Sequence, residues 1–446
     1  MKHLKQPILL LISLAVLSAV LYWDDLATEK ENKQKLEENK VVFIAADEFS
    51  EISIKQKEAL EKPIKIEKKA KNWVITHPIS TLADQSMVTT FINTLTSYRY
   101  QKIISTSKNK WNSYGLDTPA IEVVFSSAHE KRTLYIGNKT PVGYEIYFRL
   151  DNKPDVYVGS QYLLTASRKS LFDFRSKSFF NYNESDLQTI TYEGIKIDLT
   201  LQKVNGSWNI IHPKPYQADD DEILNFISEL KSEKVEQFID NPSKELLSAL
   251  LPSNKATEKQ LFLTVETNKG ETEIYKFVTN EDTLFLSVNN RGLIYKLRKD
   301  FLDTLIKRLT DFRYKKLFTF NSDQAIRVTF NEQQFLKEDQ TWIEASGKQN
   351  EQLAVFLVDL EYAKAVDFVT PDDISSDFST SHKPKYQISV EFPDRSNNIK
   401  IAVWSHNSEY FLEHNSSKQL YRIDEDLANS FTKIDNSTKA PTAEGS

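Results

Sequence analysis

The sequence contains no cysteine. That single absence excludes disulfides, thiolate zinc sites, iron–sulfur clusters and cysteine nucleophiles. It also excludes lipid attachment at a signal peptide, which needs a cysteine. Glycine is scarce, with 10 in 446 residues, which speaks against Gly-rich phosphate loops and dinucleotide folds. Excess positive charge is missing too. The formal net charge is −6, whereas a nucleic-acid binder carries a basic patch to displace counterions; no nucleic acid is expected as a partner. No G-x-S-x-G elbow, H-E-x-x-H helix or Walker A loop occurs. No catalytic, cofactor-binding or metal-ligating residue is assigned from the sequence, and a non-enzymatic role is expected. What the chain does have is aromatic wealth, 19 Tyr and 26 Phe, within an ordinary globular balance of 40% hydrophobic and 27% charged residues. Its length allows several domains, each with its own core.

Pro7 to Trp23 form an uncharged apolar stretch, with Lys2, His3 and Lys5 before it and Asp24 and Asp25 after it. A membrane-spanning helix needs roughly 17–25 residues, which this stretch just meets, and signal-peptide cores are shorter. Tyr22 and Trp23 sit where an interfacial aromatic belt lies. The segment reads as an uncleaved signal anchor, with a cleaved signal peptide as the alternative. Its charge flanks predict an inner-membrane, single-pass protein with the N-terminus in the cytoplasm and the bulk outside. Residues 24–40 are rich in Lys and Glu and read as a solvated linker.

Internal repetition organises the rest. Trp73, Trp208 and Trp342 recur at intervals that differ by a single position. The first two open the matching strings W-V-I-T-H-P and W-N-I-I-H-P, followed by Ala83-Asp84 and Ala218-Asp219. Asp173-Phe174-Arg175 returns as Asp311-Phe312-Arg313, and Phe180 as Phe318. The third copy keeps Trp342 but has Ser346-Gly347 where the others have His-Pro. In each copy alternating apolar residues predict strands before the Trp, which sits on the next strand. An amphipathic helix follows, capped by Asp84 in copy one and by Asp219 or Asp220 in copy two. Its apolar stripes are Met87, Val88, Phe91, Ile92 and Leu95; Ile223, Leu224, Phe226, Ile227 and Leu230; and Leu353, Phe356, Leu357 and Leu360. Four short strands come next, then a closing helix seen as Phe301, Leu302, Leu305, Ile306 and Leu309. The predicted fold class is α+β: an N-terminal transmembrane helix and three tandem antiparallel-sheet-plus-helix repeats. The segments are residues 1–6 (cytoplasmic), 7–23 (anchor), 24–40 (linker), 41–178, 179–316 and 317–434 (repeats, the third divergent), and 435–446 (a disordered tail).

Beyond the repeat itself, Trp73-x-Ile75-x-x-Pro78 with Ala83-Asp84, Tyr114-Gly115-Leu116-Asp117-x-Pro119, Ile136-Gly137-x-x-Thr140, Tyr147-x-Arg149 and Val156-Tyr157 resemble the domain-of-unknown-function 4340 family. The resemblance covers most of the chain after residue 41 and weakens in the third copy. It implies a membrane-anchored protein exposed on the outer side, often associated with gliding-motility-type ABC transporters. It implies no catalytic residues.

Several side-chain sets invite a chemical reading. His77 and His212 occupy matched positions, but each sits at a strand end before a proline, where a structural role is expected. His406, Glu409 and His414 are the densest set of metal-capable residues, yet His406 and His414 lie at opposite ends of one expected hairpin. Asp219, Asp220 and Asp221 lie at a helix start, where carboxylates complement the dipole, and the calcium-loop spacing is absent. The Asp-Phe-Arg segment is expected to tie each closing helix to the next unit through Arg–carboxylate bonding and Phe burial. The resulting expectation is an accessory or binding subunit of an envelope assembly, anchored in the lipid bilayer and partnered with an ABC-transporter subunit. The alternatives are a periplasmic enzyme acting on envelope polymers and a purely structural spacer. Binding is expected at junctions between units, with Trp404 to His414 of copy three on the partner surface.

Overall fold

The computed structural model describes Ser18, residues 21–24, and residues 37–438 apart from 58–61, 196, 251–258, 281, 290–293, 370–377, 379, 381, 395–397 and 415–418. The chain divides into two compact units, residues 1–179 and 180–446. Three antiparallel sheets fill them, one in the first unit and two in the second.

The first repeat supplies strands Glu51–Gln56 (β1), Ile64–Lys69 (β2), Asn72–His77 (β3) and Thr81–Leu82 (β4), then helix Gln85–Ser97 (α1). Strand Tyr100–Ser105 (β5) follows, and then Ile121–Ser126 (β6), Lys131–Lys139 (β7), Glu145–Leu150 (β8) and Val156–Ser160 (β9). Two short helices, Tyr162–Ser167 (α2) and Leu171–Phe174 (α3), close it. The sheet order is β4-β3-β2-β1-β6-β7-β8-β9-β5. Helix α1 therefore carries the chain from one edge of the sheet to the other. Period-two alternation puts Ile52, Ile54, Val123, Phe125, Leu134, Ile136 and Phe148 on the face that meets Val88, Phe91, Ile92 and Leu95 of the helix.

The second repeat copies this order. Its strands are Leu187–Gly194 (β10), Ile197–Val204 (β11), Ser207–His212 (β12) and Tyr216–Gln217 (β13), followed by helix Asp220–Ser232 (α4). Strand Gln237–Ile239 (β14), helix Lys244–Leu250 (α5), and strands Gln260–Thr267 (β15), Thr272–Thr279 (β16), Leu284–Val288 (β17) and Ile294–Leu297 (β18) follow. Helices Phe301–Leu305 (α6) and Leu309–Phe312 (α7) end it. The strands described in the third repeat are Arg327–Phe330 (β19), Gln333–Glu338 (β20), Thr341–Glu344 (β21), Asp367–Val369 (β22), Tyr386–Glu391 (β23), Ile399–His406 (β24), Glu409–His414 (β25) and Leu420–Ile423 (β26). Helix Glu351–Tyr362 (α8) follows β21, and helix Glu425–Thr438 (α9) follows β26.

Each Trp strand pairs with its predecessor so that Trp73, Trp208 and Trp342 lie opposite Lys68, Lys203 and Lys337. All three indoles are buried. The hairpin turn before Trp208 is Asn205-Gly206, with both φ positive at 54° and 88°, as a two-residue type I′ turn requires.

Three expectations need correction. Each sheet has strands beyond those the alternation predicts: the edge strands β5, β14 and β22, and the two-residue strands β4 and β13. The closing helix of repeats one and two is two helices, because Ser170 and Arg308 each start a new cap with Asp173 and Asp311. The segment from Asp435 onward is not wholly a tail. Helix α9 runs on to Thr438, held by Asn350 Nδ2–Ser437 Oγ at 3.0 Å and by Gln333 Nε2 donating to the Thr438 carbonyl at 2.9 Å. Its apolar face buries Leu427, Ala428, Phe431 and Ile434, so the helix is fixed to the core up to the expected boundary. Residues 439–446 lie outside the described residues.

Of the predicted anchor, only Ser18 and residues 21–23 are described; they are helical and exposed. The rest of residues 7–23 lies outside the described residues. Among the described residues, no helix is long and apolar enough to cross a membrane.

Candidate functional site

The recurrent strings of the chain meet one another, and most of them are consumed by packing. The Ala-Asp and Asp-Phe-Arg segments are far apart in sequence, yet they form a clasp inside each of the first two repeats. The Asp84 N–H donates to the Phe174 carbonyl at 2.8 Å, and the Asp219 N–H to the Phe312 carbonyl at 2.8 Å. Ala83 bridges Arg175, and Ala218 bridges Arg313. The phenylalanines then pack edge-on against the crossover helix, Phe174 on Phe91 and Phe312 on Phe226. Asp84 caps α1 by accepting from the Met87 N–H at 3.0 Å, and Asp219 caps α4. In the second copy the expected Arg–carboxylate tie is corrected, because the Arg313 guanidinium meets the rings of Tyr216 and Phe368. Asp173 accepts from Ser170 in its own capping box, and each Phe serves its own repeat.

The Tyr-Gly-Leu, Ile-Gly, Tyr-x-Arg and Val-Tyr segments also converge. After edge strand β5 the chain crosses the sheet face opposite the helices, and there Trp111, Leu116 and Val156 form a second small core with Tyr114 and Tyr147. The Arg149 guanidinium lies 4.0 Å from the Trp111 ring centre and 3.5 Å from that of Tyr135. Burial lowers its pKa from the ordinary arginine value. Repeats two and three use the same device with other residues. Leu246 of α5 packs with Val278, Phe285 and Ile294, and Phe378 packs with Trp404, Phe411 and Leu420. For Trp404 and Phe411 this corrects the expectation that Trp404 to His414 presents its aromatic residues to a partner. Trp404 and Phe411 are buried, and the Trp404 indole N–H donates to the His382 carbonyl at 2.9 Å.

Among the described residues the histidines and aspartates assemble no centre. His77 and His212 end their Trp strands, and both His-Pro bonds are cis. His406 pairs with Glu409 at one end of the β24–β25 hairpin, while His414 pairs with Ile401, five positions away. At ~3.3 Å per residue that separation is about 17 Å. His414 lies between the rings of Phe318 and Tyr421, and burial lowers its pKa from the ordinary value. Asp220 accepts from the Trp208 N–H at 2.8 Å, so the acidic triplet caps and clasps. Among the described residues no group of three or more His, Asp or Glu could hold a metal ion.

The junction between repeats two and three is packed. The Arg313 guanidinium sits 3.9 Å from the Tyr216 ring centre and 3.6 Å from that of Phe368 in the next repeat. Beside it Arg308 Nη1 meets Asp367 Oδ2 at 2.9 Å. The Leu317 N–H donates to the Ala363 carbonyl, and the Ala365 N–H to the Lys315 carbonyl. An aromatic clamp, with a carboxylate bond supplied by a different arginine, thus joins these two repeats.

A further exposed apolar surface lies on α8. The first buried residue of the crossover helix comes four positions sooner after the Trp in repeat three (Trp342 to Leu353) than in its sisters (Trp73 to Val88, Trp208 to Ile223). The shortening removes the His-Pro turn and the two-residue strand, leaving a single bridge, Ile343 to Gln349. Asn350 takes over as cap, accepting from the Leu353 N–H at 3.2 Å. Aligning the helices on their buried residues places Val355, Val358 and Tyr362 where α1 has Thr90, Asn93 and Ser97, and where α4 has Asn225, Ser228 and Ser232. All of these positions are exposed. Those of α8 are 63%, 45% and 69% exposed. Only the third repeat places large apolar groups there. Val358 and Tyr362 border a groove of about 440 Å³ between α8 and α9, with Leu427 beside them and Asp359, Asp424 and Asp426 around them.

The profile of the family described as a domain of unknown function, DUF4340, matches residues 73–250 and 208–379. The chain belongs to the DUF4340 family. The two matches start at Trp73 and Trp208, the equivalent tryptophans, and each runs into the following repeat. The DUF4340 profile therefore begins at the Trp strand, partway through a structural repeat. No curated protein and no solved structure matches the chain.

Proposed function

We propose that this DUF4340 chain is a non-enzymatic, membrane-anchored accessory or binding subunit of an extracytoplasmic envelope assembly, linked to an ABC transporter. In this reading residues 7–23 hold it in the inner membrane, the N-terminus stays in the cytoplasm, and the repeats lie outside. The apolar run, the lysines before it and the aspartates after it support the anchor. One observation carries the binding role: at three exposed helix positions, repeat three has Val355, Val358 and Tyr362 where its sister repeats have small polar residues. Apolar groups clustered on a surface gain free energy only when something covers them.

The test is purification of the tagged full-length chain in mild detergent, beside a triple variant carrying Val355→Thr, Val358→Asn and Tyr362→Ser. An envelope protein recovered with the wild type in constant ratio, and lost with the variant, is the expected result. Equal recovery with both chains refutes the assignment of α8, and recovery of the chain alone favours the spacer. A reporter fused to the C-terminus that works only in the cytoplasm should be silent; activity there refutes the topology.

A further inference from the structure

Resting on that reading, we propose that the partner covers α8 with a cationic amphipathic helix. Val355, Val358 and Tyr362 recur at i, i+3 and i+7, so they form one line along the helix, the spacing by which helix-in-groove recognition is anchored. The line ends in a groove between two helices, α8 and α9, which contact one another. A third helix is the shape that fills such a groove, its ridges entering between theirs.

Charge selects the occupant. Asp359, Asp424 and Asp426 border the groove and Glu425 is exposed beside them, against two bases, Lys364 in the lining and Lys316 at 5.9 Å from the Tyr362 ring centre. Some of these acids have local duties: Asp359 accepts from the Ser430 hydroxyl and Asp424 from the Leu427 N–H. Their charge nevertheless stays at the rim. An anionic bilayer surface is repelled by that rim, and so is the same patch on a second copy of the chain. A helix with an apolar stripe flanked by lysine or arginine satisfies both the floor and the rim.

The probe is a synthetic amphipathic helix, about five turns long, with leucine at i, i+3, i+4 and i+7 spacing and lysine elsewhere. Its counterpart has glutamate in place of lysine. Each is labelled and titrated with the detergent-solubilised full-length chain, and anisotropy reads the binding. The lysine peptide should bind, weaken with added salt, and lose about tenfold or more in affinity on Val358→Asn with Tyr362→Ser. Asp426→Asn should weaken it by a smaller factor. The glutamate peptide should bind at least about tenfold more weakly than the lysine peptide. The sister repeats carry polar residues at these positions, and circular dichroism confirms that the variants fold. Equal binding of the two peptides, or binding unchanged by the stripe variant, overturns the proposal. Loss of the native partner from the stripe variant, with no lysine-peptide binding, overturns the helix chemistry alone and leaves the binding-subunit reading standing.

Discussion

Replacing Trp208 by phenylalanine should cost more than the same change at Trp342, although both indoles are buried on equivalent strands of one compact unit. The difference lies in what the indole nitrogen meets. Trp208 Nε1–H donates to Glu184 Oε1 at 2.9 Å, and the same carboxylate is held by Lys203 Nζ at 2.6 Å. Lys203 also lies over the indole, 5.2 Å from the ring centre. Phenylalanine keeps much of the buried aromatic surface but has no N–H. The smaller ring costs about 1–2 kcal/mol at either site through lost contact and residual cavity. At Trp208 the missing bond to a charged acceptor adds about 1.5 kcal/mol, the low end of the usual range, because Lys203 still satisfies Glu184. The expected totals are about 3 kcal/mol for Trp208→Phe and about 1.5 kcal/mol for Trp342→Phe. Trp208→Ala should cost about 3–5 kcal/mol. Guanidinium denaturation followed by far-UV circular dichroism measures all three in the full-length chain. Equal costs for the two phenylalanine variants would refute the reasoning and place the stability of this corner in apolar burial alone.

Gly137→Ala should destabilise the first unit by about 1–3 kcal/mol, because the new Cβ would come within 2.3 Å of the Tyr114 carbonyl and 2.9 Å of Leu116 Cδ2; an unchanged melting temperature contradicts this. Arg313→Leu and Phe368→Leu should show a coupling of about 1 kcal/mol in a double-mutant cycle, since the guanidinium joins the two repeats through that ring; additive effects rule out the clamp. Burial lowers the His414 pKa, so the unfolded chain binds its proton more readily, and stability should fall as pH drops below about 6.5. His414→Phe should flatten that part of the profile in urea titrations at pH 7.5 and 5.5, and an identical fall in both chains would remove His414 as its source.

The repeat, the Trp strands, the crossover helices and their caps are local features, and local periodicity carried them. Ile52 and Ile54 alternate on β1, and Val88, Phe91, Ile92 and Leu95 recur at helical spacing, whatever the rest of the chain does. Tertiary structure alone decided three things. The edge strands β14 and β22 have three residues each, and they and β5 pair with strands from much later in the chain, Tyr100 with Gly159, Phe238 with Tyr295 and Phe368 with Tyr421. Their own sequences hold little period to read. The Ala-Asp and Asp-Phe-Arg segments are visible as repeats, but their mutual clasp joins backbones from opposite ends of a repeat, Asp84 to Phe174 and Asp219 to Phe312. Finally, α8 has apolar residues around most of its circumference. Leu353, Phe356, Leu357 and Leu360 read as the core stripe, yet nothing in that pattern says whether Val355, Val358 and Tyr362 are covered as well. Side-chain period ranks the faces of a helix; only the placement of neighbouring elements determines which of them water reaches.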